Sequence, residues 1–234
     1  EKKTEKPKKA PKQKAPVELK DYGFVAVCMG KGITNILKDL GVDRVIEGGQ
    51  TMNPSTDDIL KAVKRVKAKT VYVFPNNKNI IMAANQAAEL VEDKKIVVIP
   101  SKSVPQCISA MVEFNDKKSA EANEKAMNKA IGRVTSGQLT YAVRDTKIDG
   151  IEIKKDDILG MVEGKIVTVG KDIDDVLNRV VSHMVDEDTE FLNVYYGKEI
   201  KKPQADVMLK ALETKYADDE IEVSFKKGGQ PLYY

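Results

Sequence analysis

The chain has 234 residues, of which 41% are hydrophobic, enough for one sizeable core or two smaller lobes. No apolar run approaches the roughly 20 residues that cross a bilayer, which excludes a transmembrane helix. The lysine-rich N-terminus lacks the apolar segment of a signal peptide, and two distant cysteines make no disulfide framework. We therefore expect a cytoplasmic protein.

The formal net charge of +3 is unevenly distributed along the chain. Residues 1–20 contain eight lysines and three glutamates, a net charge of +5, which leaves −2 for residues 21–234. The body of the chain is therefore not basic, it has no tryptophan, and no basic stripe alternates with aromatic residues. These features argue against nucleic-acid binding.

Residues 1–19 consist mainly of Lys, Pro and Ala and offer little apolar surface to bury, which predicts a flexible linker. Linkers of this kind usually join two domains, so we expect a further domain upstream. An ordinary disordered N-terminus fits the same composition.

Strands and helices alternate over residues 20–118. Short apolar runs predict buried strands, and apolar residues at helical spacing predict the helices between them. Four such units predict a first α/β lobe with a parallel, doubly wound sheet covered on both faces. The expected strands are 24–28, 44–47, 71–74 and 96–99; the expected helices are 33–40, 79–91, 105–114 and one capped by either Asn53 or Ser55.

The second half of the chain has a different pattern. A polar helix expected at 120–134, within a connecting segment of 119–136, could bridge the halves. Residues 137–234 predict a second lobe of mixed α/β structure. Its expected strands are 139–144, 151–153, 158–163, 165–169, 191–195 and 221–225, with the turn Asp149-Gly150 between the first two, and its expected helices are 173–185 and 203–216.

Three loops of the first lobe, at 48–53, 75–79 and 100–103, are rich in amide and hydroxyl side chains. The carboxyl ends of parallel strands share one edge of a sheet, so these loops should open on the same side. They could bind an anion, hydrogen-bond a partner protein, or simply form turns and helix caps. A short echo, Gly-Gly-Gln at 48–50 and again at 228–230, follows a strand in each half; related lobes and coincidence both explain it.

The sequence has no recognisable catalytic or metal-binding pattern. His183 is the only histidine and is expected near a helix C-terminus, whereas Cys28 and Cys107 are expected to be packing thiols. No Ser-His-Asp arrangement and no GxxxxGK[ST] phosphate loop can be assembled.

Three segments carry a family resemblance: GGQTMNPST at 48–56, PNNKNI at 75–80 and TYAVRD at 140–145. From about Tyr22 onward the chain resembles the C-terminal region of the bacterial fatty acid kinase catalytic subunit, the YloV-like proteins with a dihydroxyacetone-kinase-type domain. In that family an N-terminal domain binds ATP. Separate DegV-type carriers hold a fatty acid in a tunnel and expose its carboxylate for phosphorylation. The resemblance implies a two-lobed, DegV-like (EDD) fold.

The resemblance also implies that this chain is not an enzyme on its own. ATP and Mg²⁺ are expected in the upstream domain and no cofactor here; the implied partners are the DegV-type carrier and the upstream domains of the same chain. The exposed loops are the expected contact surface for the carrier, with Met52 as its apolar anchor and Arg144 as a second-lobe contact. The expected contact residues are Gln50, Thr51, Met52, Asn53, Asn76, Asn77, Lys78, Asn79 and Arg144. Two alternatives stay open: a domain that binds fatty acid or phosphate itself, and an oligomerisation scaffold.

Overall fold

The computed structural model of the protein describes residues 19–48, 52–148 and 150–234. The described residues form two α/β lobes, the first built on a parallel sheet and the second on smaller sheets of mixed direction. This confirms the predicted fold class. No helix in the described part of the chain is long and apolar enough to cross a bilayer.

The first lobe contains one four-stranded sheet with the strand order β2-β1-β3-β4, and all neighbouring strands are parallel. Each strand is followed by a helix that returns the chain to the amino edge of the sheet, as right-handed β-α units do. The elements are β1 (Lys20–Cys28), α1 (Lys31–Asp39), β2 (Arg44–Glu47), α2 (Thr56–Arg65), β3 (Ala68–Phe74), α3 (Ile81–Glu89), β4 (Lys95–Val98), α4 (Val104–Glu113) and α5 (Ala120–Ile131).

Both faces of this sheet are buried, because successive side chains of β1 point in opposite directions. Val25 and Val27 pack in one core with the apolar sides of α2 and α3. Phe24 and Cys28 pack in the other with α1 and α4. The continuous apolar run that predicted a doubly covered strand is explained by these two cores.

The start of α2 is fixed by Ser55, one of the two caps that the sequence allowed. The Ser55 side chain accepts a hydrogen bond from the backbone amide of Asp58, and the Asp58 carboxylate accepts one from the backbone amide of Ser55. This reciprocal pair is a capping box, which satisfies two backbone donors at the helix start.

Helix α5, expected to bridge the halves, packs against α4 in the first lobe. Its one buried side explains this position. Met127 lies fully buried in the same core as Phe24, and the Asn123 amide is buried where it bonds the backbone of Asn115. The outer side of the helix is polar, as its sequence indicates.

The second lobe has three small sheets among the residues that the structure describes. Strands β5, β8 and β9 form an antiparallel sheet, β10 and β11 a parallel pair, and β6 and β7 a separate hairpin. Its elements are β5 (Gly137–Tyr141), β6 (Thr146–Ile148), β7 (Ile151–Ile153), β8 (Ile158–Val162), β9 (Lys165–Gly170), α6 (Ile173–Ser182), β10 (Phe191–Tyr196), α7 (Lys202–Lys215) and β11 (Glu222–Lys227).

The largest differences from the prediction in this lobe, of three residues each, are the ends of β5 and α6. The strand expected at 139–144 ends at Tyr141, and a separate strand, β6, is the one that pairs with β7. The reason is that Ala142 exchanges backbone hydrogen bonds with Asp156 and Asp157, which turns the chain out of β5. Helix α6 ends at Ser182 because His183 forms its C-cap.

Candidate partner-binding surface

The carboxyl edge of the first sheet gathers the loops that follow β2, β3 and β4, as the parallel topology requires. The structure gives the predicted contact residues of these loops different roles. Gln50 and Thr51 lie outside the described residues. The others divide into side chains that hold the loops together and side chains that face outward.

Asn76 holds three strand ends together. It adopts a left-handed backbone conformation, with φ of 55°, which Asn tolerates better than most residues. Its side-chain amide donates to the carbonyl of Val27, 2.9 Å away, and its side-chain oxygen accepts from the Ser101 hydroxyl at 2.6 Å. The Asn76 backbone amide donates to the same hydroxyl. The side chain of Asn76 is therefore engaged within the fold.

Asn77 is also engaged locally, because its side-chain oxygen accepts a hydrogen bond from the backbone amide of Asn79 at 2.9 Å. This turn leads into α3 and leaves the side chains of Lys78 and Asn79 exposed. In this loop Lys78 and Asn79 are exposed, whereas Asn76 and Asn77 are partly buried.

Met52 and Asn53 are exposed in the neighbouring loop, and 58% of the surface of Met52 is accessible. An exposed Met is adaptable and apolar, which suits a contact with another protein. Both residues line an open groove that runs between β2 and α2. Met52 is thus an exposed apolar side chain at this edge of the sheet.

Arg144 lies in the exposed segment between β5 and β6 of the second lobe. The adjacent Asp145 accepts a hydrogen bond from the backbone amide of Lys155 and lies 3.8 Å from the ammonium group of Lys154. Among the described residues Arg144 has no ion pair of its own. The guanidinium is therefore available to an acidic group of a partner.

The N-terminus of α1 opens on the same edge of the sheet, and the second lobe occupies it. The carbonyl oxygen of Gly228 accepts hydrogen bonds from the backbone amides of Gly32, at 2.9 Å, and Ile33, at 3.1 Å. Free amides at a helix N-terminus attract anions, but these two already have a protein acceptor. The close approach requires glycine, since a Cβ atom on Gly32 would collide with the carbonyl oxygen of Lys227.

The loop that carries Gly228 donates hydrogen bonds to the end of β10. The backbone amides of Gly228 and Gly229 donate to the carbonyl of Tyr196, and the side-chain amide of Gln230 donates to the carbonyl of Tyr195. The second Gly-Gly-Gln segment thus joins the lobes. Both this segment and the Gly-rich turn at 30–32 stand out in the sequence, but nothing in either one indicates contact with the other.

The cysteines and the histidine have structural positions. Cys28 and Cys107 are both buried in the first-lobe core, as expected, and burial raises the pKa of the Cys107 thiol to about 12. Burial also raises the pKa of the Cys28 thiol. The Nδ1 atom of His183 lies 2.7 Å from the carbonyl oxygen of Arg179 at the end of α6. In the described part of the chain no group of three or more His, Cys, Asp or Glu side chains could hold a metal ion.

Solved structures identify the fold. The structure is similar to a DegV family protein from Corynebacterium glutamicum, with a TM-score of 0.62 and 12% sequence identity over 91% of each chain. It is also similar to the Streptococcus pneumoniae Fatty Acid Kinase B3 protein loaded with linoleic acid, with a TM-score of 0.54 and 10% identity over 89% of this chain and 92% of that one. The two lobes therefore form a DegV-like α/β fold.

Sequence comparison identifies the family. The family model for the C-terminal region of FakA-like fatty acid kinase proteins matches residues 23–234, so the chain belongs to this family. It is 48% identical over 218 residues to protein YloV of Bacillus subtilis (strain 168), which covers 93% of this chain and 39% of YloV. It is 44% identical over 220 residues to a protein of Staphylococcus aureus (strain USA300), covering 94% of this chain and 40% of that protein. The chain thus spans about two fifths of the length of these relatives.

Proposed function

We propose that this chain is the docking domain of a fatty acid kinase catalytic subunit, and that it binds the DegV-type carrier of the fatty acid. In this scheme the carrier presents its bound acyl carboxylate to an upstream domain that binds ATP and Mg²⁺. The chain itself contributes no catalytic group. Its family membership and the likeness of its fold to a fatty acid kinase B3 protein loaded with linoleic acid support the proposal.

One observation carries the choice of a protein partner over a small ligand. At the carboxyl edge of the first sheet, the backbone amides of Gly32 and Ile33 are bound to the carbonyl of Gly228, and Asn76 ties its loop to Val27 and Ser101. These two helix amides and the Asn76 side chain are thus satisfied within the protein.

The surface concavities point the same way. Two grooves that lie beside the edge strands β2 and β4 are open to solvent. A fatty acid needs an enclosed apolar site to bury its chain, whereas a protein partner can use an exposed loop surface.

The proposed contact surface consists of the outward-facing side chains at this edge together with Arg144. Met52 supplies apolar area, and Asn53, Lys78 and Asn79 supply directional hydrogen bonds around it. Asn76 and Asn77 act indirectly by fixing the loop. Gln50 and Thr51, which lie outside the described residues, stay predicted contacts of the carrier.

Calorimetric titration of the chain with a lipid-loaded DegV-type carrier, at low and at moderate salt, tests the proposal. We expect saturable 1:1 binding that survives moderate salt, and we expect Met52→Ala to weaken it about fivefold or more. Val112→Ala is the matched control, because Val112 is 70% exposed near the end of α4, at the opposite edge of the sheet. A carrier that binds the longer catalytic subunit but not this chain would overturn the proposal.

A further inference from the structure

The groove beside β2 has features that the proposed docking does not yet explain. Its lining includes the apolar residues Ile46, Pro54 and Ala62, together with Met52. Arg44 and Arg65 also line it. Apolar residues combined with two cations suit a segment that is both apolar and acidic.

The backbone of β2 is available along this groove. β2 is an edge strand, since it pairs with β1 on one side and with no other strand among the described residues. An exposed strand edge offers unpaired amide and carbonyl groups to an extended segment, which can join the sheet as an additional strand.

Two positively charged side chains at the groove have no ion-pair partner among the described residues. The Lys61 ammonium pairs with Asp57, at 2.5 Å, and the Asp58 carboxylate is occupied by the Ser55 cap. Arg44 and Arg65 are exposed and make no ion pair with any residue that the structure describes.

Among the described residues that line the groove, Glu47 is the one carboxylate that is engaged neither in an ion pair nor in a helix cap. The groove thus has two unpaired arginines and one free carboxylate. The groove is therefore complementary to carboxylates, and arginine pairs with them through two parallel hydrogen bonds.

We infer that this groove binds an extended, acidic segment of the carrier, which adds a strand to the open edge of β2 and pairs its carboxylates with Arg44 and Arg65. The inference rests on the proposed docking function and specifies how the docking occurs. The chain's own N-terminal segment does not suit the groove, because residues 1–18 carry seven lysines, three glutamates and three prolines. Its net positive charge repels the arginines, and proline cannot donate to a strand ladder.

Charge reversal tests the side-chain part of this inference. In titrations with the lipid-loaded carrier, we expect Arg44→Glu together with Arg65→Glu to weaken binding about tenfold or more. Lys64→Glu is the matched control: Lys64 lies next to Arg65 on α2, is exposed, has no ion pair among the described residues and does not line the groove. The control should change affinity less than about threefold, by long-range attraction alone. Equal losses for Lys64→Glu and Arg65→Glu as single changes would overturn the inference.

Hydrogen exchange tests the backbone part. When the carrier binds, the amides of 44–47 that face away from β1 should exchange more slowly, since strand addition gives them hydrogen-bond acceptors. Unchanged exchange in β2 despite binding would reject strand addition. An unchanged unfolding midpoint shows that the variants remain folded. If the unaltered chain does not bind the carrier, the proposed function fails; if it binds and the arginine variants bind equally well, only this inference fails.

Discussion

Gly32 in the first lobe and Gly228 in the second are joined by a hydrogen bond of 2.9 Å from backbone amide to backbone carbonyl. This bond caps α1 with the loop that follows β11, so the end of the second lobe completes a helix of the first. Gly32 is a glycine for a steric reason, because a Cβ atom on it would meet the backbone carbonyl of Lys227.

Gly32→Ala should destabilise the protein by about 1–3 kcal/mol, because the added methyl group has no space against the Lys227 carbonyl and the lobes must separate to admit it. Urea unfolding measures the loss. Gly132→Ala is the control, since Gly132 has a helical φ of −71° and its nearest neighbours lie at ordinary contact distance. Equal stability of Gly32→Ala and the unaltered protein would show that this contact does not hold the lobes together.

Asn76→Gly should cost about 1–3 kcal/mol of stability, because it retains the left-handed backbone but removes the side-chain donor to the Val27 carbonyl and the acceptor of the Ser101 hydroxyl. Asn76→Ala should cost more, since it adds strain at a φ of 55°. Thermal unfolding measures the loss of stability in both variants. Asn79→Ala is the control, because the Asn79 side chain is exposed and its removal should change the stability by less than about 0.5 kcal/mol. An Asn79→Ala variant as unstable as Asn76→Gly would contradict these roles.

Cys28 and Cys107 should resist thiol reagents in the folded protein. Both side chains are buried, and burial raises the pKa of each thiol, so little thiolate is present or accessible at pH 8. A colorimetric disulfide reagent should detect no rapid reaction in the native chain and two thiols after unfolding. Asn79→Cys provides the positive control, with one thiol reacting at once. Rapid labelling of the unaltered native protein would show that the first-lobe core opens readily.

The stability of the second lobe should depend on acid through Asp157. Its carboxylate accepts hydrogen bonds from the Lys171 ammonium, at 2.8 Å, and from the backbone amide of Lys154, at 2.7 Å, and these lower its pKa. The ordinary pKa of an unfolded Asp is about 3.9. A lowered folded-state pKa stabilises the protein at pH values above about 4, and this contribution is lost as the pH falls through the folded-state value.

Asp157→Asn should therefore lower the unfolding midpoint at pH 7, and its difference from the unaltered protein should shrink below about pH 4. Unfolding measured from pH 7 to pH 2 tests this. Asp116→Asn serves as the control, because the exposed Asp116 carboxylate makes no hydrogen bond or ion pair in the described part of the chain. A difference for Asp157→Asn that stays constant over the whole pH range would refute the ionic origin of the effect.

The sequence predicted the first lobe well because its apolar pattern is strong. Its four strands and their helices follow from apolar runs such as that at 24–28, where every residue is buried. The second lobe was harder to predict, since its strands are short and half-exposed. The turn at Ala142 depends on backbone bonds to Asp156 and Asp157, which no local pattern reveals.

The candidate surface was predictable only in part for the same reason. Loop composition indicated which residues lie at the sheet edge, and Met52, Lys78 and Asn79 are exposed there as expected. Composition cannot tell an amide that faces a partner from one that ties strands together. What distinguishes Asn76 from Asn79 is that the Asn76 side chain forms hydrogen bonds with Val27 and Ser101, two residues that lie far from it in the sequence.

The bond between Gly32 and Gly228 also sets an order of assembly. The two residues are about 200 positions apart in the sequence, so α1 is synthesised well before the loop that caps it. The strands of the first sheet lie within residues 20–98, but the cap of this helix start requires the loop after β11. Completion of the carboxyl edge therefore requires both lobes to be folded.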